Sequence, residues 1–131
     1  MNREELRLYL LGRPEAWTDY PFGPRVAVFK IRSKIFATLI EGAGAVRMNL
    51  KCDPHEAMIL RDIFASVRPG YHMNKRHWNT VIIDGSIPDG EIQRMVDSSY
   101  GLVVRGLKSS ERKVLEVQHG KAALYPVHAI P

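Results

Sequence analysis

Between Pro88 and Gly106 the apolar side chains recur at a spacing suited to one face of a helix. Ile92, Met95, Val96, Ser99, Tyr100, Val103 and Val104 fall at i, i+3, i+4, i+7, i+8, i+11 and i+12, so a helix opened by Pro88 lines them up as a single stripe. A stripe of that length has to be buried against another element, and the preceding sequence supplies one. Val26 to Ile31 and Ile35 to Ile40 are β-prone and are separated by the polar connector Arg32-Ser33-Lys34, which suits a hairpin. Val46 to Lys51 alternates strictly, predicting Val46, Met48 and Leu50 toward a core and Arg47, Asn49 and Lys51 away from it. Three consecutive strands imply an antiparallel meander, and Trp78 to Ile83, closed by Asp84-Gly85, adds a fourth strand. The fold class read from these patterns is α+β, an antiparallel sheet carrying helices.

Two further helices complete the pattern. Asn2 with Glu5 three residues later forms a capping-box signature ahead of Leu6, Tyr9 and Leu10, and Gly12 then Arg13-Pro14 stop the helix. Tyr20-Pro21-Phe22-Gly23-Pro24 reads as an irregular turn. Asp53-Pro54-His55-Glu56 is a helix start, and Ala57, Leu60, Phe64 and Val67 supply its buried stripe before Pro69-Gly70 ends it. After Gly106 the pattern decays. The expected organisation is one domain over residues 1–112 with a polar extension at 113–131 whose order the pattern does not define, Val114 to Val117 reading as a short strand.

At 131 residues the chain is long enough to bury a core without staples and too short for two ordinary domains. No apolar run approaches the roughly 18–20 residues that cross a bilayer. Met1 to Glu5 lacks the basic-then-apolar layout of a signal peptide, so a cytoplasmic location and no membrane partner are expected. Cys52 is the single cysteine, which excludes an intramolecular disulfide and leaves a cysteine-based zinc site three ligands short. A net charge of +5 and a pI near 9.6 favour polyanionic partners, although many soluble domains are mildly basic, so placement of the charges has to decide.

The densest group of functional side chains runs from Gly70 to Thr80, Gly-Tyr-His-Met-Asn-Lys-Arg-His-Trp-Asn-Thr. Lys75 and Arg76 suit phosphates and Tyr71 or Trp78 suit stacking on a base, while the alternative packs both rings under a turn whose charges are solvated. His72 and His77 stand five apart with no acid between them, which matches no usual zinc spacing and suits hydrogen bonding to backbone. Cys52 precedes a helix start that would lower its pKa if the sulfur faced it, whereas a small buried cysteine is the commoner case. The elbow, zincin and phosphate-loop motifs of common enzymes do not occur. Glu4, Glu5, Asp53, Glu56, Asp62, Asp89, Glu91 and Asp97 read as helix caps and solvated helix surface. A binding module without a cofactor or metal, not an enzyme, is therefore expected.

The Gly70 to Thr80 run, followed by Asp84-Gly85-Ser86, resembles the MmcQ/YjbR family. Asp19 to Gly23, Val46 to Pro54 and Asp97 to Val103 support the resemblance at the right spacing, and it extends from the first helix to about Arg112. It implies a frataxin-like fold, with helices on one side of an antiparallel sheet, and a double-wing DNA-binding arrangement; Lys113 to Pro131 has no counterpart in the family core. Frataxins bind iron through acidic surface, but Glu4 and Glu5 stand here among Arg3 and Arg7, so iron handling is not supported. The leading expectation is a DNA-binding module in which Lys30, Arg32, Lys34, Arg47, Lys51, Lys75 and Arg76 contact phosphates. Tyr71, His72, Asn74, His77 and Trp78 are the family-motif residues. A protein-interaction module presenting a sheet face or edge, as frataxin-like and secretion-chaperone-like sheets do, is the alternative. A small-molecule or enzymatic site around Tyr71, His72, Asn74 and His77 is the third reading.

Overall fold

The structure is a computed structural model that describes residues 1–42 and 44–127. Its elements are α1 (Arg3–Leu11), β1 (Trp17–Asp19), β2 (Val26–Ile31), β3 (Lys34–Gly42), β4 (Ala45–Lys51), α2 (Pro54–Ile63), β5 (Val67–Pro69), β6 (Trp78–Ile83), α3 (Asp89–Arg105), α4 (Ser109–His119) and α5 (Lys121–Leu124). The six strands form one antiparallel sheet in the order β1-β2-β3-β4-β6-β5. Helices pack on one face of it, α3 lying across β2, β3 and β4.

Local chemistry starts the first two helices where the residue pattern placed them. In α1 the Asn2 side chain accepts from the Glu5 amide while the Glu5 carboxylate accepts from the Asn2 amide, so two otherwise orphaned donors are satisfied reciprocally. In α2 the Asp53 carboxylate accepts from the His55 and Glu56 amides, with Pro54 in the first turn. Glu56 makes no reciprocal capping bond and instead pairs with Arg94 of α3 at 3.1 Å.

The stripe of α3 closes the core. Phe36 and Tyr100, both fully buried, meet edge to face at 5.2 Å, and the Tyr100 hydroxyl donates to the Pro14 carbonyl at 2.6 Å. Phe36 occupies a β-bulge: Phe29 pairs with Ala37 and Lys30 with Ile35, so the extra residue re-aims a ring toward the helix. Ser99 is a polar member of the stripe for a reason. Its hydroxyl donates to the Phe36 carbonyl at 2.6 Å and accepts from the Lys51 amide at 2.9 Å, pinning α3 to two strands.

Several expectations are corrected. Val67 is not in the second helix; the helix ends at Ile63 with Phe64 as its cap, and Val67 begins the short strand β5. Strand β1 at Trp17–Asp19 is an element the pattern does not announce, because three residues are too few to show an alternation. The segment Val114 to Val117 is helical, inside α4, where Val114 and Val117 are exposed and Leu115 is fully buried. A division at 112/113 falls within α4, and Leu115 and Leu124 both join the central core, so the tail through Leu124 is packed and not merely polar. The last part of the expected extension, residues 128–131, lies outside the described residues. Asp97 is not solvated surface: it is buried on α3 between Tyr9 and Arg13.

Candidate nucleic-acid interface

The helix-free face of the sheet is set by strand alternation. Met48 and Leu50 point into the core, so Arg47, Asn49 and Lys51 stand on the opposite face as the alternation of β4 predicts, but Arg47 and Lys51 are half-buried there and Asn49 is buried among its neighbours. Register carries that face across all six strands: Asp19, Val28, Thr38, Asn49, Thr80 and Arg68 are successive cross-strand partners in one row. In flanking rows Arg47 lies between Ile40 and Ile82, Lys51 stands opposite Trp78, and Lys30 opposite Trp17.

The seven cations expected at phosphates are not equivalent. Lys30 is committed within the protein, its Nζ 3.1 Å from Asp19 and 5.0 Å from the centre of the Trp17 ring. The same contact holds the Asp19 carboxyl below the usual carboxylate range. Arg32, at a positive φ of 54° in the β2–β3 turn, faces Glu15 at 3.4 Å, and its carbonyl accepts from the Trp17 indole at 2.9 Å. Of the hairpin cations Lys34 alone is exposed without an acid in ion-pair range among the described residues. Arg47 and Lys51 share the outward face with Arg68, which the residue pattern does not reveal because Val67 continues a helical spacing. Arg68 is exposed, its Nε bonded to the Ala65 carbonyl at 3.1 Å.

The family-motif segment is the loop joining β5 to β6. Asn74 shapes it, its side-chain oxygen accepting from the Arg76 amide at 3.0 Å and the His77 amide at 3.3 Å, while the His77 carbonyl accepts from the Cys52 amide at 2.8 Å. Lys75 reaches back to the Gly70 carbonyl at 3.4 Å, and Arg76 is exposed. The Tyr71 amide donates to Thr80 Oγ1 at 2.9 Å, and that hydroxyl donates in turn to Asn49, which ties the loop to the outward row. His72 adopts a positive φ of 57°, with its ring centre 4.0 Å from that of the exposed Tyr71. Trp78 is half-buried against the strand.

Arg61 of α2, a residue without any distinguishing pattern in the sequence, holds this loop from behind. Its guanidinium donates to the Asn79 side chain at 2.7 Å and to the Lys75 and Trp78 carbonyls, satisfying a turn that would otherwise leave carbonyls unpaired. At the far end of β6 the Asp84-Gly85-Ser86 turn is likewise explained. The Ser66 and Ser86 hydroxyls donate to the Asp84 carboxylate and hold its pKa down to about 2, while Gly85 supplies a φ of 83°. Cys52 is buried and its thiol is pushed up to about 12 by that burial and by Glu56 and Asp53, which leaves it protonated at neutral pH. Among the described residues His, Cys, Asp and Glu form no group of three or more that could hold a metal ion.

The model of the YjbR family matches residues 11–102, a span that includes the sheet and the loop from Gly70 to Thr80. The chain belongs to the YjbR family. The uncharacterised protein YjbR of Escherichia coli K12 is 36% identical over 115 residues, spanning 88% of this chain and 98% of that one. The uncharacterised protein YbdF of Escherichia coli O157:H7 is 40% identical over 94 residues, 72% of this chain and 77% of the relative. The crystal structure of Deinococcus radiodurans protein DR2400, a DUF419 domain, superposes with a TM-score of 0.79 at 34% identity and covers 86% of each chain. In this YjbR-family protein the matched span contains the outward rows from Trp17 to Ile82, whereas α4 and α5 lie beyond it. Among the described residues no helix is long and apolar enough to cross a membrane.

Proposed function

We propose that this YjbR-family chain is a nucleic-acid-binding module, not an enzyme, that receives phosphates on the outward sheet face and the adjoining β5–β6 loop. The observation that carries this reading is a charge imbalance on one face. Arg47, Lys51 and Arg68 stand on the outward rows, and the one carboxylate on those rows, Asp19, is already matched by Lys30. Lys75 and Arg76 extend the positive potential into the loop. Among the described residues Arg47, Arg68 and Lys75 bond only to backbone carbonyls and none of these cations is paired with an acid, so they can exchange counterions for phosphates, which makes affinity fall as salt rises. Lys30 and Arg32, by contrast, would have to give up Asp19 and Glu15, so their share in binding is expected to be small.

The test is fluorescence anisotropy with labelled oligonucleotides across a salt series. Replacing Arg47 and Lys51 together by alanine should make the slope of log affinity against log salt shallower by about 1.4–1.8, two phosphate contacts' worth. Replacing Asp19 and Lys30 together by Asn and Gln should leave it nearly unchanged. An unchanged slope in the first variant, or no saturable binding at low salt, would overturn the reading. A protein partner is the second reading, favoured by Met58, Ile59 and Ile63, which stand exposed on α2. Capture through that apolar surface would survive ionic strengths that release a phosphate binder.

A further inference from the structure

We infer that the outward face takes single-stranded nucleic acid in preference to duplex, with bases laid on the sheet; this rests on the nucleic-acid reading above and specifies its ligand. Reading a duplex by its base edges takes a helix or a two-stranded ribbon set into a groove about 12 Å wide. Here the β2–β3 hairpin has Lys30 and Arg32 matched by Asp19 and Glu15, which leaves Lys34 as its one cation without an acid partner among the described residues. Arg47, Lys51 and Arg68, also without an acid partner among the described residues, lie instead within the body of the strands. A rigid duplex resting on the rims would hold its phosphates away from them, whereas a flexible single strand can follow the surface.

The remaining chemistry of the face suits bases. Trp17, on the β1 edge, is 43% exposed, and Tyr71, beside Thr80 at the opposite side of the sheet, is 59% exposed. Accessible rings offer stacking to unpaired bases and nothing comparable to bases already stacked inside a duplex. Between them Val28, Thr38, Asn49 and Thr80 of the central row are buried, so contact with a ligand falls to the exposed rings and to the flanking Arg47, Lys51 and Arg68. Six strands at about 4.8 Å spacing make a face about 24 Å wide. That width matches about 7 nucleotides at roughly 3.4 Å per stacked nucleotide, and fewer if the strand is extended.

The experiment uses the full chain at low salt with fluorescein-labelled oligothymidylates of graded length and with a duplex of matched length. Single strands are expected to bind at least tenfold more tightly than duplex, with affinity rising to a plateau near 7 nucleotides. Tyr71→Ala and, separately, Trp17→Ala should each weaken single-strand binding by about tenfold and leave duplex binding as it was. Both side chains are exposed, and the pair of variants guards against a local effect of either one. Duplex binding equal to or tighter than single-strand binding would overturn this inference while leaving the nucleic-acid reading in place, and so would two variants with unaltered single-strand affinity. If neither nucleic acid binds, both fall together.

Discussion

Asp97→Ala is expected to cost about 3–5 kcal/mol of folding stability, measured by urea unfolding. The Asp97 side chain is 4% exposed, yet it carries a charge that two partners from the start of the chain address. Tyr9 donates its hydroxyl to the carboxylate at 2.9 Å, and Arg13 Nη1 approaches it at 2.8 Å. The Arg13 guanidinium also lies 4.2 Å from the centre of the Tyr9 ring, so the three side chains act as one unit. Burial, followed by the bond to Asp97, pushes the Tyr9 phenol up to about 12, which keeps it a donor at every pH the fold will meet in practice. Removing the carboxylate leaves a largely buried guanidinium without its counter-charge, and that penalty exceeds the value of the bonds themselves. Asp97→Asn, which retains an acceptor of the same shape, should lose less. A loss below about 1 kcal/mol for the alanine variant would show that Arg13 and Tyr9 find water as readily as they find Asp97.

Gly70→Ala should destabilise by about 2–3 kcal/mol and also weaken nucleic-acid binding, although alanine is the smallest side chain available. Gly70 donates its amide to the Trp78 carbonyl at 2.9 Å, directly across the β5–β6 pair. A Cβ at this position would lie 2.8 Å from Trp78 Cβ, 2.9 Å from the Trp78 carbonyl oxygen and 3.1 Å from Met73 Cβ. Backbone cannot swing aside as a flexible side chain can, so the two strands have to separate. Tyr71 is the next residue and is positioned by Thr80, so the displacement moves an exposed ring of the proposed interface. The check is a paired measurement of unfolding free energy and single-strand affinity. A variant with wild-type stability would mean that the strands separate freely here, and the close approach would then have no part in placing the loop.

Much of the architecture is legible in short stretches of residues. The stripe from Ile92 to Val104, the alternation of Val46 to Lys51 and the Asn2 and Asp53 caps are patterns among near neighbours, and each became the element it predicts. The failures share a cause as well. Val67 continues a helical spacing by chance, but pairing with Val81 of β6 makes it a strand residue, because a cross-strand ladder outweighs weak local preference. The same holds for Val114 to Val117, whose β-branched residues are overridden by a helix that buries Leu115.

For the interface, residue types and alternation alone place Arg47, Asn49 and Lys51 together, since side chains two apart on a strand must share a face. Neither pattern nor composition separates a spent cation from a free one. Lys30 and Arg32 are matched by Asp19 and Glu15, 11 and 17 positions away along the chain, and those meetings depend on register and turn geometry. Arg68 joins the face, and Asp97 leaves the surface, for the same reason. Periodicity is a property of adjacent residues and survives in the bare sequence, whereas ion pairing and burial are set by which distant segments the packed sheet brings within a few ångströms of one another.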